Sequence, residues 1–268
     1  MLARIAQRTM SIASNPSLRR HSLNTALKIH FHSKLGKLRA TSPGFMGITD
    51  LDGTLMNRDC PLPLDLFMIF KKVEARLCPV RISTGRSYGF LNEHPLLAPL
   101  ANKSENEYGA KLGKELTIPF SKAQQARAEI SEVKKILKMF SPYKVGDDTE
   151  FSCIFAINSN DIKTVAELKQ IYQDQIKPLF PKNEILFSER SLTVLQVRAN
   201  TGTQKGDSFP NILFALGDDP TFDSPLLYKA KRFFAVGKRF YDENLTKKPN
   251  YFLNSPKEAQ VILRYLGS

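Results

Sequence analysis

The chain has 268 residues, 42% of them hydrophobic, which is enough to bury one sizeable core, or one core with a small inserted domain, without disulfides. Its three cysteines, Cys60, Cys78 and Cys153, are odd in number and lack paired spacing, so they imply a reducing compartment and exclude a cysteine-held metal cluster. The formal charge of +13 raises nucleic acid as a partner, but residues 1–49 contain no Asp or Glu and carry much of that charge on Arg4, Arg8, Arg19, Arg20, Lys28, Lys34, Lys37 and Arg39. The remaining body is only mildly basic, which argues against nucleic acid. No apolar run approaches the roughly 20 residues that span a bilayer, so no membrane partner is expected.

The opening stretch interleaves arginines with Ser, Ala and Leu, as organellar transit peptides do. Residues 1–42 are therefore expected to be a basic N-terminal extension that directs import into mitochondria or plastids. A basic tail on a cytoplasmic protein, or a start assigned too far upstream, is the plainer alternative. Phe45, Met46 and Ile48 then run into Asp50 and Gly53, a buried strand that ends in a tight turn. Leu66, Phe67, Ile69, Phe70, Val73 and Leu77 recur at helical spacing over 63–77. A second strand at 79–82 ends in the polar turn Ser83-Thr84-Gly85-Arg86. Strand, helix, strand implies a parallel sheet that binds ligands at the carboxyl ends of its strands, where both polar turns fall.

The middle of the chain predicts a helix at 121–140, a strand at 151–158, a helix at 161–177 and a hairpin of strands at 185–188 and 192–199. Beyond it, the apolar run 211–216 ends in Asp218 and Asp219 and returns the chain to the first sheet. Strands at 233–236 and 251–253 and a closing helix at 256–266 complete the pattern.

Asp50 and Asp52 leave a strand end two residues apart. Such a pair can divide phosphoryl transfer between a carboxylate that attacks phosphorus and one that gives a proton to the leaving alcohol. Two anions facing a phosphate need a bridging cation, and Mg²⁺ suits oxygen ligands. The run Asp50-Leu51-Asp52-Gly53-Thr54-Leu55 resembles motif I of the haloacid dehalogenase-like phosphatases, and further motifs follow in order. Thr84-Gly85-Arg86 matches the Thr-Gly-Arg whose hydroxyl holds a phosphate oxygen. Lys205-Gly206 resembles the Lys-Gly that neutralises phosphate and nucleophile. Gly217-Asp218-Asp219-Pro220-Thr221-Phe222-Asp223 resembles the acidic turn that completes a Mg²⁺ site.

The resemblance covers residues 45–268 and implies an α/β fold: a Rossmann-like parallel-sheet core at 43–114 and 200–268, with an inserted α+β cap of the C2 type at 115–199. Ser104-Glu105-Asn106-Glu107-Tyr108-Gly109-Ala110 resembles the Glu-Asn-Gly-Ala turn of that cap class, with two residues interrupting it. The class includes Cof-type sugar phosphatases and the trehalose-, sucrose- and mannosyl-3-phosphoglycerate phosphatases, the last of which the run from Gly217 most resembles.

The resemblance implies that Asp50, Asp52, Thr84 and Lys205 are catalytic. Asp50, Asp52 and Asp218 would hold Mg²⁺, with Asp219 or Asp223 acting through a coordinated water. Candidate substrate contacts are Thr54, Arg86 and Asn106, although the plainer reading of Arg86, Asn106 and Lys111 is a solvated loop, and that of Ser83 a turn residue. The expected function is Mg²⁺-dependent hydrolysis of a phosphorylated sugar or glycoside through an aspartyl phosphate; a phosphomutase shares motif I. The expected partner is a small phosphorylated molecule. One departure favours another alternative, a catalytically impaired or regulatory phosphate-binding form. Only four residues separate Lys205-Gly206 from the next strand, too few for a helical crossover, and an uncovered apolar sheet face is expected there.

Overall fold

The computed structural model describes residues 44–140, 149–158, 162–189, 192–242 and 245–268. The expected transit peptide at 1–42 lies outside them. None of the described helices is long and apolar enough to cross a membrane.

Strand β1 (Met46–Thr49) carries the first apolar run up to Asp50. Helix α1 (Leu66–Arg76) buries Leu66, Ile69, Phe70 and Val73, which share one face at spacings of three and four. β2 (Val80–Ile82) follows, then the short helices α2 (Tyr88–Glu93) and α3 (Ala98–Ala101). Three two-residue strands, β3 (Glu105–Asn106), β4 (Lys111–Leu112) and β5 (Glu115–Leu116), form an antiparallel meander.

The chain then builds a separate α+β unit from α4 (Phe120–Phe140), β6 (Ser152–Asn158), α5 (Ile162–Ile171), β7 (Glu184–Glu189) and β8 (Leu192–Arg198). Its antiparallel sheet is ordered β6-β8-β7. Ala123, Ala126, Ile130, Val133 and Leu137 form a buried stripe down α4 that packs with Phe151, Cys153, Leu168, Tyr172 and Val197.

The return to the first sheet runs through β9 (Ile212–Gly217), α6 (Pro220–Lys229), β10 (Arg232–Val236), α7 (Arg239–Asp242), β11 (Tyr251–Leu253) and α8 (Pro256–Leu266). The main sheet is wholly parallel and ordered β11-β10-β9-β1-β2. From β1 the chain steps one way to β2, and from β9 it steps the other way to β10. Right-handed crossovers in opposite directions put their helices on opposite faces. The reversal between β1 and β9 opens a crevice at the carboxyl ends of those two strands. Gly47 allows the two to lie close, because the ring of Phe214 occupies the space that a Cβ on Gly47 would fill.

The connection after Lys205 is as short as expected, but the uncovered face expected beside it is not found. No helix intervenes: the chain makes a turn over 205–208 and passes directly into β9. The crossover rule does not apply, because the chain arrives from β8 of the other sheet and not from a strand of this one. Nor is a sheet face left open. Phe209 sinks to 5% exposure among Ile48, Ile212, Ala215, Leu226, Leu227 and Phe233, with Leu112 of the meander packed alongside, and every residue of β9 is buried.

Phe209 thus supplies cover that a helix would otherwise give. Phe209→Ala is expected to cost about 3 kcal/mol of unfolding free energy. Phe67→Ala, on the half-exposed side of α1, is expected to cost within about 1 kcal/mol; urea titration of both variants checks the contrast.

Candidate active site

Asp50 stands at the carboxyl end of β1, fixed by its backbone N–H, which donates to the Leu216 carbonyl of β9 at 3.0 Å. The chain then turns at Gly53, whose φ of 83° belongs to the left-handed region and whose missing Cβ leaves room for the Asp218 carboxylate. Thr54 is fully buried, and its Oγ1 lies 3.2 Å from both Asp50 Oδ2 and Asp218 Oδ1. From the far side Lys205 Nζ donates to Asp50 Oδ1 and to Asp223 Oδ1, each at 2.6 Å. Asp223 Oδ2 in turn accepts the backbone N–H groups of Asp218 at 2.9 Å and Asp219 at 3.2 Å. Residues far apart in sequence therefore meet in one buried cluster.

The electrostatics follow from that burial. Desolvation alone would pull the Lys205 ammonium down, but the carboxylates of Asp223 and Asp50 outweigh it and hold the group above the usual lysine range. Burial raises the Asp223 carboxyl, against the pull of Lys205. Oxygens of Asp50, Asp218 and Asp223 lie within 4.8 Å of one another. These three buried carboxylates offer an all-oxygen donor set, which fits a hard divalent cation such as Mg²⁺.

Asp52 points elsewhere. Its two oxygens accept from Arg86, Nε at 2.9 Å and Nη2 at 3.0 Å, in a half-exposed bidentate pair, and the guanidinium also lies over Phe90. The pair sits beside the buried cluster, and the Asp52 carboxylate is not among the grouped cation ligands. Thr84 is buried; its Oγ1 accepts the Arg86 N–H at 3.2 Å and its own N–H donates to the Glu105 carbonyl at 3.0 Å.

Three candidates make contacts within the fold. Between the two alternatives for the second acidic position, Asp223 lies beside Asp218, whereas the Asp219 side chain caps α6 by accepting the Thr221 N–H and pairs with Arg239. Asn106 is fully buried and donates to the Gly113 carbonyl at 2.9 Å, which holds the meander turn. Thr54 is turned onto the carboxylates of the cluster.

The turn 104–110 holds residues that sequence reasoning passed over. The two residues that interrupt the Glu-Asn-Gly-Ala pattern, Glu107 and Tyr108, have φ of 49° and 57°, unusual for side chains with a Cβ. Both reach the inserted unit. Glu107 accepts the backbone N–H groups of Glu150 at 2.8 Å and Phe151 at 2.9 Å. The Tyr108 hydroxyl donates to Gln196 on β8 at 2.7 Å. Its ring fills the space above Gly85, stands 5.8 Å from Lys205 Nζ and from the Phe222 ring, and receives the Arg198 guanidinium at 5.3 Å. Burial pushes the phenol up to about 12. The interruption itself was the signal that could have drawn attention to them.

No family model and no curated sequence matches the chain. Solved structures do. A haloacid dehalogenase-like hydrolase from Bacteroides thetaiotaomicron aligns at 14% identity and a TM-score of 0.54, covering 82% of this chain and 98% of its own. A Thermoplasma acidophilum protein aligns at 12% identity and 0.54, over 83% and 97%. A member of a phosphoryl-transfer superfamily, described with a trigonal-bipyramidal intermediate, aligns at 17% and 0.50, over 81% and 95%. At these identities the likeness is one of fold.

Glu107 provides a test of the joint between the turn and the inserted unit. Burial, opposed by the Phe151 N–H and by Lys111, pushes its carboxyl from 4.5 up to about 7. Between those values the unfolded chain has released the proton and the folded chain keeps it, so stability falls as pH rises through this window and is level above it. Relative to Glu107→Gln, which does not ionise, the wild type is expected to lose on the order of 2–3 kcal/mol between about pH 5 and 7. Urea midpoints across that range check it, and a difference that stays flat would refute it.

Proposed function

We propose that this chain, which has the haloacid dehalogenase-like fold, is a Mg²⁺-dependent phosphomonoester hydrolase that works through an aspartyl-phosphate intermediate on Asp50. The observation that carries the reading is the buried cluster in which Lys205 bridges Asp50 and Asp223 with Asp218 alongside. An adventitious acidic turn has no reason to bury an ammonium between its carboxylates, because desolvating such charges is costly unless they are paired.

The Asp50 carboxylate attacks phosphorus, an O–P bond forms, and the ester O–P bond breaks as Asp52 gives its proton to the leaving alcohol oxygen. Asp52 then takes a proton from water, the water oxygen attacks the phosphorus of the aspartyl phosphate, and phosphate departs with Asp50 restored. Lys205 offsets negative charge on the phosphoryl oxygens and lowers the repulsion that the Asp50 anion presents to them. The Thr84 hydroxyl holds a phosphoryl oxygen. Asp52 serves from its half-exposed position once its bidentate pair with Arg86 opens to solvent. Asp50, Asp218 and Asp223 would hold Mg²⁺, which when bound supplies Lewis-acid neutralisation of phosphoryl charge.

A phosphorylated sugar or glycoside is the proposed substrate class, supported by the resemblance of the run from Gly217 and by the inserted α+β unit beside the site. The impaired alternative rested on the short connection after Lys205. That connection nonetheless delivers the lysine to Asp50 and Asp223, which supports an active enzyme.

Phosphate release from a phosphosugar panel in the presence of Mg²⁺ is the test. Asp50→Asn is expected to lower turnover by at least about a thousandfold, Asp52→Asn by about a hundredfold, and chelation is expected to abolish it reversibly. Turnover that survives Asp50→Asn would end the aspartyl-phosphate reading.

A further inference from the structure

We propose that Glu105 is a positioning residue for Lys205, acting through the backbone of the turn that carries the lysine. Glu105 is fully buried, and among the described residues it makes no ion pair. Its carboxylate is met instead by neutral donors. Oε2 accepts the Gly206 N–H at 2.5 Å and the Ser83 hydroxyl, and Oε1 accepts the Ser208 N–H at 2.9 Å. Its own carbonyl accepts the Thr84 N–H. A buried carboxylate without a countercharge is costly unless it is fully hydrogen-bonded, and these bonds run to the two loops that flank the cluster.

The geometry gives this carboxylate a purpose. The Lys205 turn does not open a helix, so no regular run of backbone bonds fixes its N–H groups. Glu105 holds the N–H one residue after the lysine and the N–H two residues further on, which sets the direction in which the Lys205 side chain leaves the backbone. The same residue ties Ser83 and Thr84 to that turn. Asp207 and Lys229 also brace the turn, through Gln204 N–H and the Lys205 carbonyl, but Glu105 is the side chain that joins it to the Thr84 loop without touching the carboxylate cluster.

The kinetic half of the test rests on the phosphatase reading; the labelling half does not. Glu105→Gln keeps the shape but turns an amide NH₂ toward donors. It is expected to lower kcat about 30-fold with KM nearly unchanged, since a misplaced lysine withholds charge stabilisation in the transition state. In a Lys205→Ala background the same substitution is expected to change kcat less than about twofold, because the two act as one unit. Equal effects in both backgrounds would overturn the proposal, as a residue that merely stabilises the fold behaves additively.

Independently, acetic anhydride labelling read by mass spectrometry is expected to modify Lys205 several times faster in Glu105→Gln than in wild type, with Lys111 unchanged as an internal reference. Unaltered protection of Lys205, or equal loss at Lys111, would overturn the proposal even if no substrate is turned over. Should Glu105→Gln fail to fold, Glu105→Asp, which keeps the charge but shortens its reach, is read in the same way.

Discussion

The ammonium of Lys205 between Asp50 and Asp223 is the interaction on which the rest of this molecule depends. Carboxylates crowded together in a medium of low polarity repel one another by several kcal/mol, and each also loses hydration. One buried cation offsets part of both costs. The remaining features serve to keep it there. Gly53 yields the volume that Asp218 fills, Thr54 joins Asp50 to Asp218, and Phe209 seals the sheet beneath the turn from which the lysine extends.

The two ion pairs of the site differ in kind, and the difference matches their work. Lys205 and its partners are almost wholly buried, so separating them would strand a desolvated charge. Arg86 and Asp52 are about one third exposed, so water reaches both partners and screens their attraction. In the proposed reaction the group that holds one position lies inside, and the group that gains and loses a proton lies at the rim.

How much of this was legible in the sequence depended on whether the signal was local. The strands that end in Asp50, Thr84 and Asp218 could be read because an apolar run broken by carboxylates or hydroxyls marks a buried strand emerging at an edge. The β3–β5 meander could not, because two-residue strands are too short to show a period. Helix α6 was masked by Pro220 and Pro225, although Asp219-Pro220 is itself a helix-start signature and would have assigned the Asp219 carboxylate to capping. Glu105 was read only as part of a turn and Glu107 only as an interruption of it, since glutamate is ordinarily solvated. Only the backbone N–H groups that surround them reveal their burial, and those come from segments distant in sequence. The short link after Lys205 was read as a lost helix because four residues are too few for a helical crossover, and the local sequence does not show that Phe209 folds back to cover the sheet.

That same separation in sequence has a consequence for how the molecule comes into being. The bonds that define the cluster join residues 155 and 164 positions apart, from Asp50 to Lys205 and from Thr54 to Asp218. A growing chain presents β1 and its aspartate long before β9 exists to pair with it, whereas the inserted unit can close upon itself as soon as β8 has been made. Lys205 is made before Asp218 and Asp223, so the compensating cation is already in the chain when the later carboxylates join Asp50, and strand pairing and charge compensation are completed together and late. Until then Asp50 remains hydrated at an unfinished sheet edge.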